Sequence, residues 1–204
     1  MTDRVNAPLQ PTAWHTIGPF FPRTFFRAGD NDLRRRSAEE PPTGRGEALL
    51  LRGRVLQEGG APCVNAVLEA WQADAGGRFR HPLDPSWREA DPDFLGWGRA
   101  WTDDEGCYEF HTVMPGAYQD AAGTRAPHIN LAVLGSGIMQ RLVTTVFFPD
   151  KGANAADPVL GALPDLGLRA RLVAAPDGEV GNRVRAFRFD IRLRGEQETP
   201  FFED

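Results

Sequence analysis

The stretch YEFHTVMPGAYQDAAGTRAPHINLAVL, residues 108–134, decides how the chain is read. Its two ends alternate as strands do: Tyr108, Phe110 and Thr112 fall on one side, and Ile129, Leu131 and Val133 do so later. Between them lies a turn-rich connection with Pro115-Gly116, Gly123 and Pro127. Both tyrosines of the chain, Tyr108 and Tyr118, lie here, as do two of its four histidines, His111 and His128. The connection brings the Tyr118 phenol near the imidazole that opens the next strand, His128, with Arg125 three residues before it. Phenol, guanidinium and imidazole on one loop suit a metal or anion site. They equally suit an ordinary loop, and the rest of the chain has to decide.

Outward from that stretch the pattern stays β. ALLLRGRVLQ from Ala48 closes in the turn EGGAP, and CVNAVLEAWQAD sets Val64, Ala66 and Leu68 against Asn65, Val67, Glu69 and Trp71. Strands are expected at 97–102, 107–113, 128–134 and 140–148, then across LRARLVAA and VRAFRFDIRLRG. In the last of these Phe187, Phe189, Ile191 and Leu193 face in, while Arg188, Asp190, Arg192 and Arg194 face out. DPVLGALPDLG has room for one helical turn. Eight or nine short strands punctuated by 22 Gly and 17 Pro predict an all-β sandwich or barrel. Residues 82–96 form a long loop without period, expected to cover a pocket or an interface.

Residues 1–46 read as an N-terminal arm ahead of a domain at 47–204. The arm carries Trp14, Phe20, Phe21, Phe25 and Phe26, whose exposure forfeits roughly 1.5–3 kcal/mol each, so it packs on its own domain or on a partner. A net charge of -5 argues against nucleic acid as partner, and no run approaches a membrane span. MTDRVNAPLQPTAW lacks the apolar core of a secretion signal, so a cytoplasmic location is expected. There Cys63 and Cys107 are expected as small hydrophobes without a disulfide.

GRVLQEGGAPCVNAVLEAWQADAGGRF, TDDEGCYEFHTVMPGAY, APHINLAVL and the ending RGEQETPFFED together resemble the intradiol ring-cleavage dioxygenases across nearly the whole chain. The resemblance implies a prealbumin-like β-sandwich with an extended arm and long loops. Within that family it is to the alpha chains of alpha–beta enzymes that open 3,4-dihydroxybenzoate between its hydroxyls with O₂. Their beta chains hold ferric iron through two tyrosines and two histidines. Hard Fe(III) favours phenolate oxygen, which is why the donors are of that kind.

Matched motif to motif, two donor positions are kept, Tyr118 and His128, and two are lost, to Phe79 and to Asn130. Phe cannot ligate and neutral Asn substitutes poorly for imidazole, so the resemblance implies a vestigial metal site in this chain and iron on the partner beta chain. His81, two residues past Phe79, shares its face if the segment is extended, which is the one rescue of a metal site. Arg125 matches a substrate-facing position of the iron chain and is expected here in a structural ion pair. The turn Thr16-Ile17-Gly18-Pro19-Phe20 matches the T-x-G-P motif with which family alpha chains line the partner's pocket. Ser136 stands where an alpha-chain arginine approaches the substrate carboxylate. The expectation is therefore a subunit with no catalytic residues of its own, its arm 1–46 packed on the partner chain, lending Thr16, Gly18, Pro19, Phe20 and Ser136 to that partner. The alternatives are a self-sufficient dioxygenase acting on catechol or hydroxyquinol and a non-enzymatic prealbumin-like binding module.

Overall fold

The computed structural model describes residues 26–135, 138 and 141–202. Thr16, Gly18, Pro19, Phe20 and Ser136, the residues expected to reach a partner's pocket, lie outside the described residues.

Two sheets face each other. The first is built around β1 (Ala48–Leu56), antiparallel on one side to β4 (Cys107–Val113), with Leu51 opposite Phe110. On its other side β10 (Val184–Arg188) and β11 (Ile191–Arg192) run parallel to it in succession, and β9 (Ala175–Val180) closes that edge. The chain breaks between β10 and β11 where it crosses Gly53. A Cβ there would sit 1.9 Å from the Phe189 carbonyl oxygen, so only glycine lets the strands meet. The second sheet runs in the order β3 (Trp97–Trp101), β2 (Val67–Trp71), β7 (His128–Leu134), β8 (Leu142–Phe147), all antiparallel. A short hairpin of β5 (Tyr118–Asp120) and β6 (Gly123–Arg125) stands apart from both.

The alternation seen in the sequence is the core. Tyr108, Phe110, Ile129, Leu131, Val133, Phe187, Phe189 and Ile191 are all buried in one cluster between the sheets. Tyr108 satisfies its phenol by donating to the Phe189 carbonyl at 2.6 Å, and burial holds its pKa well above 10. It belongs to the core and is no spare ligand. Cys63 and Cys107 are free thiols.

Three expectations need correction. The alternation over Cys63–Leu68 is not a strand, because Asn65 takes a left-handed φ of 60° and Val64 stays exposed, so β2 begins only at Val67. The tail of the chain holds more helix than one turn: α1 (Lys151–Ala156), α2 (Pro158–Ala162) and α3 (Leu166–Arg171) follow in series. Each is started by an aspartate, Asp150, Asp157 and Asp165, accepting two backbone N–H groups. The third cap turns LRARL into helix, and the expected strand there starts later, at Ala175.

Residues 26–46 strap onto their own sandwich. Leu33 is fully buried in the main core, with its N–H on the His111 carbonyl, while Phe26 meets the Trp101 ring edge-on at 4.8 Å. Among the described residues no helix is long and apolar enough to cross a membrane.

Candidate functional site

The site is built from a turn, a loop and a hairpin. After β2 the chain turns at Asp74, whose buried carboxylate accepts the Gly76 and Arg78 N–H groups at 2.8 and 2.9 Å. Gly77 holds φ +78°, and a Cβ there would stand 2.1 Å from the Ala117 carbonyl oxygen. Gly116 is as tight, with 2.4 Å from such a Cβ to the Gly77 nitrogen. These two glycines let the turn bearing Phe79 lie backbone to backbone on the segment that leads into Tyr118.

Loop 82–96 is pinned onto the same turn. The second Asp74 oxygen accepts the Asp91 N–H at 2.8 Å, and the Thr43 hydroxyl donates to Asp91 at 2.5 Å. Asp84 accepts the Phe79 N–H at 2.6 Å together with the N–H and hydroxyl of Ser86. Burial opposes the Asp84 charge, but these donors hold its pKa below the ordinary carboxylate value.

The hairpin carries the other half. Tyr118 pairs across it with Arg125. Arg125 donates to Asp157 at 3.0 Å and to Asp120 at 3.2 Å, a structural ion-pair network rather than a cation turned to an open cleft. Asp157 is a hub: it also accepts the Ala126 N–H at 2.8 Å and caps α2. His128 is 4% exposed. Its Nδ1 lies 2.6 Å from the Ala126 carbonyl and so carries the proton and donates, which leaves Nε2 to accept from the Tyr118 hydroxyl at 3.3 Å. Burial lowers the His128 pKa below 6.5 and raises the Tyr118 pKa above 10, so the pair is neutral near pH 7.

Phe79 and Asn130 stand at the other two positions that the resemblance maps to donors. The Phe79 ring stands edge-on to Tyr118 at 5.0 Å and stacks on Trp71 at 5.8 Å. Asn130, opposite Trp71 in the sheet, accepts the Thr145 hydroxyl at 2.9 Å. His81 does not join them. The chain bends at Arg80 and His81 rather than continuing as a strand; the exposed His81 ring meets Trp71 edge-on at 6.3 Å, and its Nδ1 accepts the Leu83 N–H. No group of three or more His, Cys, Asp or Glu able to hold a metal occurs among the described residues. A ferric ion needs anionic oxygen donors. Of the four positions that the resemblance maps to donors, two hold a phenyl ring, which cannot ligate, and an amide already engaged with Thr145. The residues present do not fit the ion.

What remains is a cleft of about 750 Å³ between loop 82–96 and β5, lined by Trp71, Arg78, Phe79, His81, Asp84 and Tyr118 among others. The loop does line a pocket. Sequence reasoning missed Trp71, Asp84 and Asp157 here; only the Asp-Pro pair at 157–158, a helix-start signal, pointed to one of them. It also missed a second cleft of about 640 Å³ beside Trp101 and Tyr108. Three of its five arginines are in ion pairs, Arg52 with Asp177, Arg99 with Glu69 and Arg188 with Asp190.

Residues 17–195 match the protein family described as Dioxygenase. The chain belongs to that dioxygenase family. The family is iron-dependent. The chain is 37% identical over 207 residues to the protocatechuate 3,4-dioxygenase alpha chain of Burkholderia cepacia, covering 96% of this chain and 98% of that one. It is 39% identical over 165 residues to the alpha chain of Pseudomonas putida, covering 79% of each. It is also 40% identical over 160 residues to the Burkholderia cepacia beta chain, covering 76% of this chain and 68% of that one. Solved structures share the fold. Catechol 1,2-dioxygenase from Acinetobacter radioresistens superposes with a TM-score of 0.61 at 17% identity, over 85% of this chain and 60% of its own. The dioxygenase domain from Streptomyces sp. SirexAA-E does so with a TM-score of 0.56 at 23% identity, over 94% of this chain and all of its own. The expected β-sandwich dioxygenase fold is therefore the observed one.

Proposed function

We propose that this chain is the alpha subunit of a heteromeric ferric intradiol dioxygenase. The enzyme cleaves the bond between the two hydroxyl-bearing carbons of 3,4-dihydroxybenzoate and adds one atom of O₂ to each, giving 3-carboxy-cis,cis-muconate. The observation that carries the reading is the closed Tyr118–His128 pair with Phe79 and Asn130 at the other two donor positions. A dioxygenase fold that keeps its cleft but not its donors has a use if a sister chain holds the metal. Near-full-length identity to an alpha chain supports the reading, and identity to a beta chain fits a pair of homologous subunits.

In this reading Fe(III) sits on the beta chain, on two tyrosines and two histidines. Thr16, Gly18, Pro19, Phe20 and Ser136 reach that chain's substrate pocket. The test is co-expression with a homologous chain bearing the H-x-H motif. The two are expected to co-purify with iron and a tyrosinate-to-iron colour that this chain lacks alone. Stoichiometric iron and ring cleavage by this chain alone would sink the reading in favour of a self-sufficient enzyme. No co-purification at all would favour the non-enzymatic binding module. Within the complex, Gly18→Val is expected to raise KM by roughly one to two orders of magnitude with iron content unchanged.

A further inference from the structure

We propose that loop 82–96 and the cleft it walls form a docking surface for a basic segment of another protein chain, the sister subunit of the complex. The proposal rests on the alpha-chain reading for the identity of that chain.

The loop holds apolar side chains out in water. Leu83 is 85% exposed and Trp87 38%, two of the four large hydrophobic residues exposed among the described residues, and they lie four positions apart. The backbone that carries them is pinned. Asp84 accepts the Phe79 N–H and both donors of Ser86, and the buried Asp74 carboxylate accepts the Asp91 N–H. An exposed leucine and tryptophan on a pinned loop meet a partner without the ordering cost that a loose loop carries. Tryptophan is also a residue that interfaces concentrate at their strongest contacts.

The charge beside them names the occupant. Asp84, Glu89 and Asp120 line the cleft against one guanidinium, that of Arg78. Arg80 and Arg88 are engaged elsewhere, the first with the Pro92 carbonyl and the second over the Trp87 ring. The ion pairs behind the hairpin add Arg125 and Asp157 together, so the excess of two negative charges stays. Burial opposes the charges on Asp84 and Asp120, but the N–H groups they accept outweigh it and hold both pKa values below the ordinary carboxylate range. An apolar or acidic surface laid over the cleft would take water from that excess and return nothing, whereas lysine or arginine offsets it. A second copy of this chain, docked on the same patch about a twofold axis, would set carboxylates against carboxylates. The fitting partner is a chain of different sequence, with basic side chains flanked by apolar ones.

The experiment measures dissociation of the co-expressed complex on dilution, at several NaCl concentrations, for Leu83→Ser and Glu89→Lys. Both side chains are exposed, so the fold is expected to stand. Leu166→Ser on α3 and Glu58→Lys after β1 are the controls, equally exposed and away from the cleft. Leu83→Ser and Glu89→Lys are each expected to weaken assembly by roughly tenfold, and the controls by less than about twofold. Glu89→Lys should also flatten the salt dependence, which a merely structural role would not do. Carbodiimide labelling of Glu89 should proceed in the free chain and be blocked in the complex. Assembly that ignores both substitutions, or Glu89 labelled equally in the complex, overturns the docking surface and leaves the alpha-chain reading standing. Glu89 already blocked in the free chain gives the surface to this chain's own arm or a second copy, and overturns the proposal too. Failure of the wild-type chain to assemble with any such sister sinks the alpha-chain reading, and the partner named here falls with it.

Discussion

The two sides of the cleft differ in what they have kept. The Tyr118 hairpin and the head of β7 present a phenol and an imidazole, while the turn across the cleft presents the Phe79 ring, yet both sides are held in the same way. Asp74 and Asp84 fix the turn of Phe79, and Asp157 and Asp120 fix the hairpin and the entry to His128. Carboxylates accepting backbone N–H groups, with Asp74 and Asp157 buried, set the geometry on both sides. The positions of the side-chain ends in the cleft come from hydrogen bonds underneath.

If that is so, the largest effects come from the scaffold. Gly77→Ala combines a left-handed φ with a Cβ 2.1 Å from the Ala117 oxygen, and is expected to cost about 4 kcal/mol. Gly59→Ala is the control: its φ is +77° but nothing lies within 4 Å, so only about 1 kcal/mol is expected. Urea midpoints measure both, and equal losses would mean that the close approach of the two halves is not what holds the cleft. On the other side, Asp157→Ala leaves Arg125, the Ala126 N–H and the start of α2 without their acceptor. About 3 kcal/mol is expected, at the low end for a broken buried pair because Arg125 keeps Asp120.

The pH dependence separates the sides further. Burial lowers the His128 pKa in the folded state, so on acidification the unfolded chain takes up this proton first. Stability contributed by neutral His128 is complete above the unfolded value near 6.5 and falls as pH drops below it. Between pH 6.5 and 5.5 the loss is at most about 1.4 kcal/mol. Thermal melts across that window should lose this slope in His128→Gln, and an unchanged slope would place the titrating group elsewhere.

How much of this was legible varies with distance along the chain. β4, β7 and the β10–β11 run follow from alternation alone, because each face is set by neighbours two residues apart. That β1 runs parallel to β10 and β11 has no local signal, since the crossing at Gly53 is set by Phe189 from far along the chain. LRARL alternates like a strand, yet Asp165 caps it as helix, a case where one hydrogen-bonding side chain outweighs period. In the site, Tyr118 and His128 are ten residues apart, and a short hairpin was enough to foresee their meeting. His81 failed because the segment after Phe79 turns instead of extending, and Asp84 makes that turn. The bond from Arg125 to Asp157 spans 32 positions and joins two elements with no shared pattern.

The smallest effect discriminates best between a structural and a catalytic phenol. Tyr118→Phe keeps the ring against Phe79 and His128 and removes only the hydroxyl that donates to Nε2 at 3.3 Å. That bond is long, and Tyr118 is partly exposed to the cleft, so water can take over part of its role. A loss of about 1 kcal/mol is expected, the ordinary net worth of one such hydrogen bond. An iron-bound phenolate would behave otherwise: its removal would bleach the tyrosinate-to-iron band and strip metal. Unchanged colour and iron content in the Tyr118→Phe complex, beside a small drop in melting temperature, is the outcome the closed pair requires. Bleaching would show that this half of the cleft still holds the ion, and that the loss of Phe79 and Asn130 as donors had not been decisive.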